Sequence, residues 1–237
     1  MSTRSELLTS AESMLRTKGY AAFSYADLAE AIGIKKASIH HHFPTKETLG
    51  ITIVESNLFR FTKQLEKVDS DLQSAVLRLE KYAGFFLESS ESSMLPLCGA
   101  LAAEISVLPD SLKALTKKYF EVQLAWVESN IVIGQKQGEF RPELDGSKIA
   151  RTLLNLLEGG SFVAWALDDK SNSNFGFEFF MNNIVVKKQK PLLVLPQRKA
   201  STSTRTPSCT ETQASAAQPL VPSHDSPEQV LPKGRGD

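Results

Sequence analysis

The sequence predicts an all-α protein, and three observations carry that expectation. Apolar residues recur at one-turn spacing through most of the first 187 residues. No stretch alternates apolar and polar residues long enough to make a sheet. The interruptions coincide with helix breakers: Pro96, Pro109, Gly138–Pro142 and the Asp168–Asn174 cluster. At 237 residues, 41% apolar and 23% charged, the chain sits in the ordinary globular range, large enough for one big domain or two modest ones.

The elements follow in order. Leu7, Leu8, Ala11, Met14 and Leu15 form the stripe of a first helix, which Gly19 closes as a C-cap. Ser24 and Asp27, three apart, make a capping pair that opens a short helix with Leu28, Ala29 and Ile32 on its apolar face. Gly33 supplies the positive φ of a tight turn, and Ile34 and Ile39 return the chain to the same core. Leu72, Ala75, Val76, Leu79, Ala83 and Phe86 repeat the helical pattern, as do Ile149, Leu153, Leu156, Leu157, Ala164 and Leu167. The dense segment Phe175, Phe177, Phe179, Phe180, Met181, Ile184 and Val185 is too apolar for a solvent-facing helix.

The total charge is zero, 27 basic against 27 acidic side chains, but its distribution is uneven. Residues 1–60 carry +1, residues 61–187 carry −4 and residues 188–237 carry +3. All 19 aromatic residues precede position 188 and seven of the eleven prolines follow it, so 188–237 reads as a disordered Pro/Ser/Thr-rich tail. No apolar run approaches the roughly 18 residues of a membrane span. There is no signal-peptide pattern, and Cys98 and Cys209 make no disulfide framework. A cytoplasmic protein without membrane contact is expected.

Function concentrates in residues 24–46, SYADLAEAIGIKKASIHHHFPTK. Small Ala29 permits a close helix crossing, Gly33 makes the turn and Ile39 locks the second helix down, which is helix-turn-helix geometry. Away from Ile39 that second helix shows Lys35, Lys36, Ser38, His40 and His41, and from Lys35 to Lys46 there is no acid. Such a strip is a footprint for a polyanion. Lys36, Ser38 and His40 are types that reach base edges, while His41 and Lys46 suit phosphates.

These residues resemble the DNA-binding region of the tetracycline-repressor (TetR/AcrR) family of bacterial regulators. The matching features are Ser24, Leu28–Ala29, Gly33–Ile34, the recognition helix Lys35–His41, then His41–His42–Phe43 and Lys46. A first helix at about 3–18 and a long linking helix from Thr45 complete the layout. Ala37 stands where many members have Gly or Pro, and His40 where most have Tyr. The DNA-facing set is thus Ser24, Lys35, Lys36, Ala37, Ser38, His40, His41 and Lys46. Beyond residue 60 the likeness is weaker, though LCGALAAEISVLP at 97–109, a long helix with Trp126, and LLNLLEGG look familiar.

The resemblance implies three parts: 1–46 for DNA, 47–187 for ligand and dimerisation, and the tail 188–237. It implies a repressor that binds a pseudo-palindromic double-stranded DNA operator as a homodimer and leaves it when a small molecule binds. The segments 147–167 and 175–186 are the expected dimer interface, as a four-helix bundle, with Phe180 as its probe. The ligand candidates are Phe86, Cys98, Leu101, Ile105, Trp126, Asn155, Glu158 and Phe162, and their aromatic character suggests a mainly hydrophobic inducer. Glu104, Glu158 and Asn155 are polar residues in apolar stretches and need partners.

Other readings stand beside this one. His40, His41 and His42 point about 100° apart around a helix and cannot converge on a metal ion. Cys98 is either a small buried hydrophobe or, if a helix start after Pro96 lowers its pKa, an electrophile sensor. An architectural or partner-controlled DNA-binding protein without inducer is the third possibility. Histidines occur only in the DNA segment and at His224, and nothing forms a catalytic constellation or a cofactor motif, so neither an enzyme nor a cofactor is expected.

Overall fold

The computed structural model describes residues 3–169 and 176–186. Phe175, Cys209, His224 and the whole 188–237 tail lie outside the described residues.

Three short helices come first. α1 (Thr3–Lys18) buries Leu7, Ala11 and Leu15, one turn apart, and ends where the Gly19 amide donates to the Leu15 carbonyl at 3.0 Å. α2 (Tyr25–Ile32) opens on a complete capping box: the Ser24 hydroxyl accepts from the Ala26 and Asp27 amides, and the Asp27 carboxylate accepts from the Ser24 amide at 2.6 Å. Gly33 closes α2 in the left-handed region at φ 74°, which a residue with a Cβ adopts only at a cost. Its amide donates to Glu30 at 3.2 Å and the Ile34 amide to Ala29 at 3.0 Å, the paired bonds of a Schellman cap. The chain is thereby aimed into α3 (Lys36–His42), whose single fully buried side chain is Ile39.

α4 (Lys46–Asp71) is a continuous helix of 26 residues, started by Thr45 accepting from the Thr48 amide. The boundary expected at residue 46 therefore falls on its first turn, and this one helix runs through both halves. α5 (Ala75–Glu91) follows, capped by Ser74. The stripe expected from Leu72 begins instead at Ala75, because the Leu72 amide terminates α4 on the Val68 carbonyl. Pro96 and Pro109 precede α6 (Leu97–Ala103) and α7 (Asp110–Lys136), where a missing amide costs nothing. Asp145 caps α8 (Gly146–Ala166) through the Ser147 and Lys148 amides.

α9 (Phe177–Ile184) is short but anchored. Beyond its end Val185 forms an antiparallel bridge with Phe140, and the Val186 amide donates to Glu139 at 2.8 Å. Among the described residues there are nine helices and no strand beyond this bridge. One continuous apolar core runs from Leu7, Leu28, Ile39 and Leu49 through Leu79, Tyr82 and Leu101 to Val127, Leu153 and Ile184. No described helix is long and apolar enough to cross a membrane.

Candidate nucleic-acid interface and interior cavity

α3 is held from beneath and left open above. Ile39 is completely buried, Phe43 nearly so, and the Tyr25 hydroxyl donates to the Phe43 carbonyl at 2.9 Å. Burial raises that tyrosine's pKa to about 12, so it stays a neutral donor. Lys35, Lys36, Ala37, Ser38, His40 and His41 are all exposed. No acid interrupts them, and Lys36, Ala37 and Ser38 form the first turn, where a recognition helix meets base edges.

His40 is more constrained than its exposure suggests. Its ring meets Tyr25 edge-on at 4.9 Å, and its Nδ1 lies 3.2 Å from the Pro44 carbonyl. A carbonyl only accepts, so that bond places a hydrogen on Nδ1 and leaves Nε2 for an outside partner. His42 is half-buried, packed edge-on against His41. Among the described residues no histidine, cysteine or carboxylate cluster could hold a metal ion.

Two of the residues predicted to contact DNA also make bonds within the fold. Ser24 is exposed, but its hydroxyl and amide complete the α2 capping box. Lys46 is turned inward: its ammonium donates to the Phe23 and Ala21 carbonyls and lies over the rings of Phe23 at 4.5 Å and Tyr20 at 4.8 Å. Burial lowers its pKa, against the opposing pull of Glu104 and Asp27. It ties α4 to the α1–α2 turn. Two residues that sequence reasoning did not name, Arg4 and Thr3, lie on the same face as α3. Arg4 is exposed with its guanidinium 5.1 Å from the Phe43 ring, and Thr3 shares a surface groove with Ala37, Ser38 and His41. Their signal was only a basic residue near the first helix start.

Residues 7–50 match the model described as bacterial regulatory proteins, tetR family. The chain is 29% identical over 157 residues to the HTH-type transcriptional repressor KstR2 of Mycolicibacterium smegmatis, covering 63% of this chain and 73% of that one. It is 31% identical over 135 residues to the HTH-type transcriptional regulator CymR of Pseudomonas putida, covering 54% and 64%. The structure matches a TetR transcriptional regulator from Legionella pneumophila with a TM-score of 0.69 at 27% identity, over 78% of this chain and 98% of that one. Residues 7–50 thus carry a tetR-family DNA-binding segment. The chain has the all-helical fold and helix-turn-helix segment that its sequence predicted.

A half-open cavity of about 340 Å³ lies between α1, α4, α5, α6 and α7. Of the predicted ligand residues, Phe86 and Cys98 line it. The other six do not. Leu101 is fully buried core, and Ile105 lies beyond the end of α6, 42% exposed. Asn155 is exposed on α8. Trp126 packs on Tyr82 and donates its indole N–H to Asp69 at 2.9 Å, tying α7 to α4. Glu158 and Phe162 sit behind Cys98, against Gly99. The missed residues are mostly polar: Arg16, Asn57, Arg60, Gln64 and Gln123, with Tyr119 and Phe61. Such side chains at intervals along amphipathic helices read as solvated faces, so no sequence signal singled them out.

Behind the cavity floor runs a buried polar chain. The Tyr82 hydroxyl donates to Gln123 Oε1 at 2.9 Å, Gln123 Nε2 donates to Cys98 Sγ at 3.2 Å, and the thiol donates to Glu158 Oε1 at 3.2 Å. α6 does begin just after Pro96, yet burial and the neighbouring Glu158 push the Cys98 thiol well above its usual pKa. A buried, protonated thiol lacks the nucleophilicity an electrophile sensor needs. Burial also raises Glu158 to about 7.

Proposed function

We propose that this regulator binds a pseudo-palindromic operator as a homodimer through α3 and releases it when a small molecule enters the cavity. The observation that carries the reading is the acid-free, exposed row Lys35, Lys36, Ala37, Ser38, His40 and His41 on a helix pinned by Ile39. One such helix reads too few bases for useful specificity, so a two-fold dimer is needed, with recognition helices roughly 34 Å apart on successive major grooves. The surface that supports dimerisation is the apolar part of α8 and α9 left uncovered: Val163, Trp165 and Phe179, with Leu167 just beyond α8. Phe180 does not belong to it, because its ring is buried within its own chain at 8% exposure.

A physical link between cavity and DNA face lies in α4. Its first turn follows α3 directly, while Asn57, Arg60, Phe61 and Gln64 further along the same helix wall the cavity. The eleven residue steps from Lys46 to Asn57 span about 16 Å of rigid helix. Occupancy that displaces α4 at the cavity moves its first turn and α3 with it. A ligand favouring the displaced state then lowers operator affinity by linkage. The proposed parts are 1–46 for DNA and 47–187 for ligand and dimerisation, with α4 as the lever between them. The cytoplasm is the proposed compartment.

The test is selection of bound sequences from a random DNA pool, with the full chain and a Lys36→Ala control. Enrichment of a pseudo-palindrome that weakens in the control supports the reading. Salt-sensitive binding without enrichment would favour an architectural DNA-binding protein instead.

A further inference from the structure

The cavity is chemically two-sided. Phe61, Phe85, Phe86, Met94 and Leu97 make one part of its wall apolar. The other part carries two guanidiniums, Arg16 from α1 and Arg60 from α4, and a single carboxylate, Glu88, which is paired with Lys81 at 3.6 Å. The partner of the arginines is Glu12. It accepts from Arg60 at 2.7 Å and from Asn57 at 2.8 Å, while Arg16 Nη1 stands 3.7 Å away, too far for a hydrogen bond. One carboxylate thus serves two cations, and Arg16 uses only two of its five N–H groups in hydrogen bonds, to the Leu95 carbonyl at 2.7 Å and to Ser89 Oγ at 2.9 Å. The Arg16 side chain is largely buried, at 14% exposure, and lines the cavity.

Arg16 is also bound to the cavity rim in both directions. Its side chain holds the Leu95 carbonyl, and its backbone carbonyl accepts from the Leu95 amide at 3.3 Å. A residue of the DNA-binding half therefore lines the cavity and is stitched to the segment between α5 and α6.

We infer that the cavity takes an apolar carboxylic acid, whose carboxylate is held by Arg16 and Arg60 in competition with Glu12, and whose binding reaches α1 through the Arg16–Leu95 link. The inference rests on the ligand-controlled reading above and names its ligand class. A planar carboxylate matches the guanidinium fork, and the volume of about 340 Å³ suits a small acid rather than a bulky one. An arginine drawn toward a ligand loosens its hold on Leu95, which alters how α1 is held at the end next to α2.

The experiment is isothermal titration of the full chain with benzoate, 4-phenylbutyrate and octanoate, each beside its primary amide. At least one acid is expected to bind about tenfold or more tightly than its amide. That preference should fall in Arg60→Gln, a substitution on the exposed rim, and in Arg16→Lys, which keeps the charge and removes the fork. Hydrogen exchange with the bound acid is expected to change at the Leu95 amide and in the last turn of α1. Amides binding as well as acids, or no acid binding, overturns the ligand class. Binding without a change in exchange overturns the route through Arg16. Operator selection uses no ligand, so it decides separately whether the chain is a regulator at all.

Discussion

The thiol of Cys98 donates to Glu158 Oε1 across 3.2 Å, while Glu158 Oε2, equally buried, has no hydrogen-bond partner. That asymmetry gives the carboxyl its properties. Burial disfavours the anion, and the one weak donor it has, a thiol, offsets this only in part, so its pKa stands near 7. The sign follows from linkage. The folded chain binds this proton up to about pH 7 and the unfolded chain only up to about 4.3. Between those limits rising pH removes stability, by about 2–4 kcal/mol in all. Glu158→Gln mimics the protonated acid. Thermal melts of the variant should match wild type near pH 5 and exceed it near pH 8; parallel pH profiles would refute the shift.

The same carboxyl explains Gly99. A Cβ there would lie 2.4 Å from Glu158 Oε2 and 3.4 Å from the Phe162 ring. Gly99→Ala should cost about 1–3 kcal/mol by overpacking. In Gly99→Ala with Glu158→Ala the combined loss should be smaller than the sum of the two, since the shorter side chain vacates the space. Additive losses in denaturant unfolding would show that the two residues do not compete.

The helix-turn-helix was legible and the cavity was not, for a physical reason. Ser24, Asp27 and Gly33 act through bonds that close within six residues, so their meaning is written locally. The cavity draws Arg16, Asn57, Gln123 and Cys98 from four helices, and only packing shows that they share a space. Trp126 and Phe162 lie outside this cavity's wall, as large rings fill cores more often than they frame voids. Ile105 lies outside it as well, because α6 ends at Ala103, two residues before it.

Phase also separates Phe179 from Phe180, neighbours in sequence that α9 sends to opposite fates at 77% and 8% exposure. Phe180→Asp would bury an unpaired charge and should unfold the region, so it cannot report on dimerisation. Phe179→Asp should leave helicity and melting nearly unchanged while shifting sedimentation from dimer to monomer and abolishing operator binding. A Phe179→Asp chain that remains dimeric would remove α9 from the interface.

Lys36 and Lys46 make the sharpest contrast between a residue proposed to read DNA and one that builds the fold around it. Lys36 is exposed and makes no hydrogen bond or ion pair among the described residues, so Lys36→Ala should change stability by no more than about 0.5 kcal/mol. It should weaken operator binding, and if the contact is to phosphate it should lower the salt slope by about one. Lys46 spends its ammonium on the Phe23 and Ala21 carbonyls and on two aromatic faces. Lys46→Ala should therefore cost about 1–3 kcal/mol of stability. Its effect on DNA should come through a loosened α1–α2 turn, with the salt slope unchanged. Melting curves beside operator titrations at several salt concentrations separate the two, and a Lys46→Ala variant as stable as wild type with a reduced slope would return that lysine to the phosphate backbone.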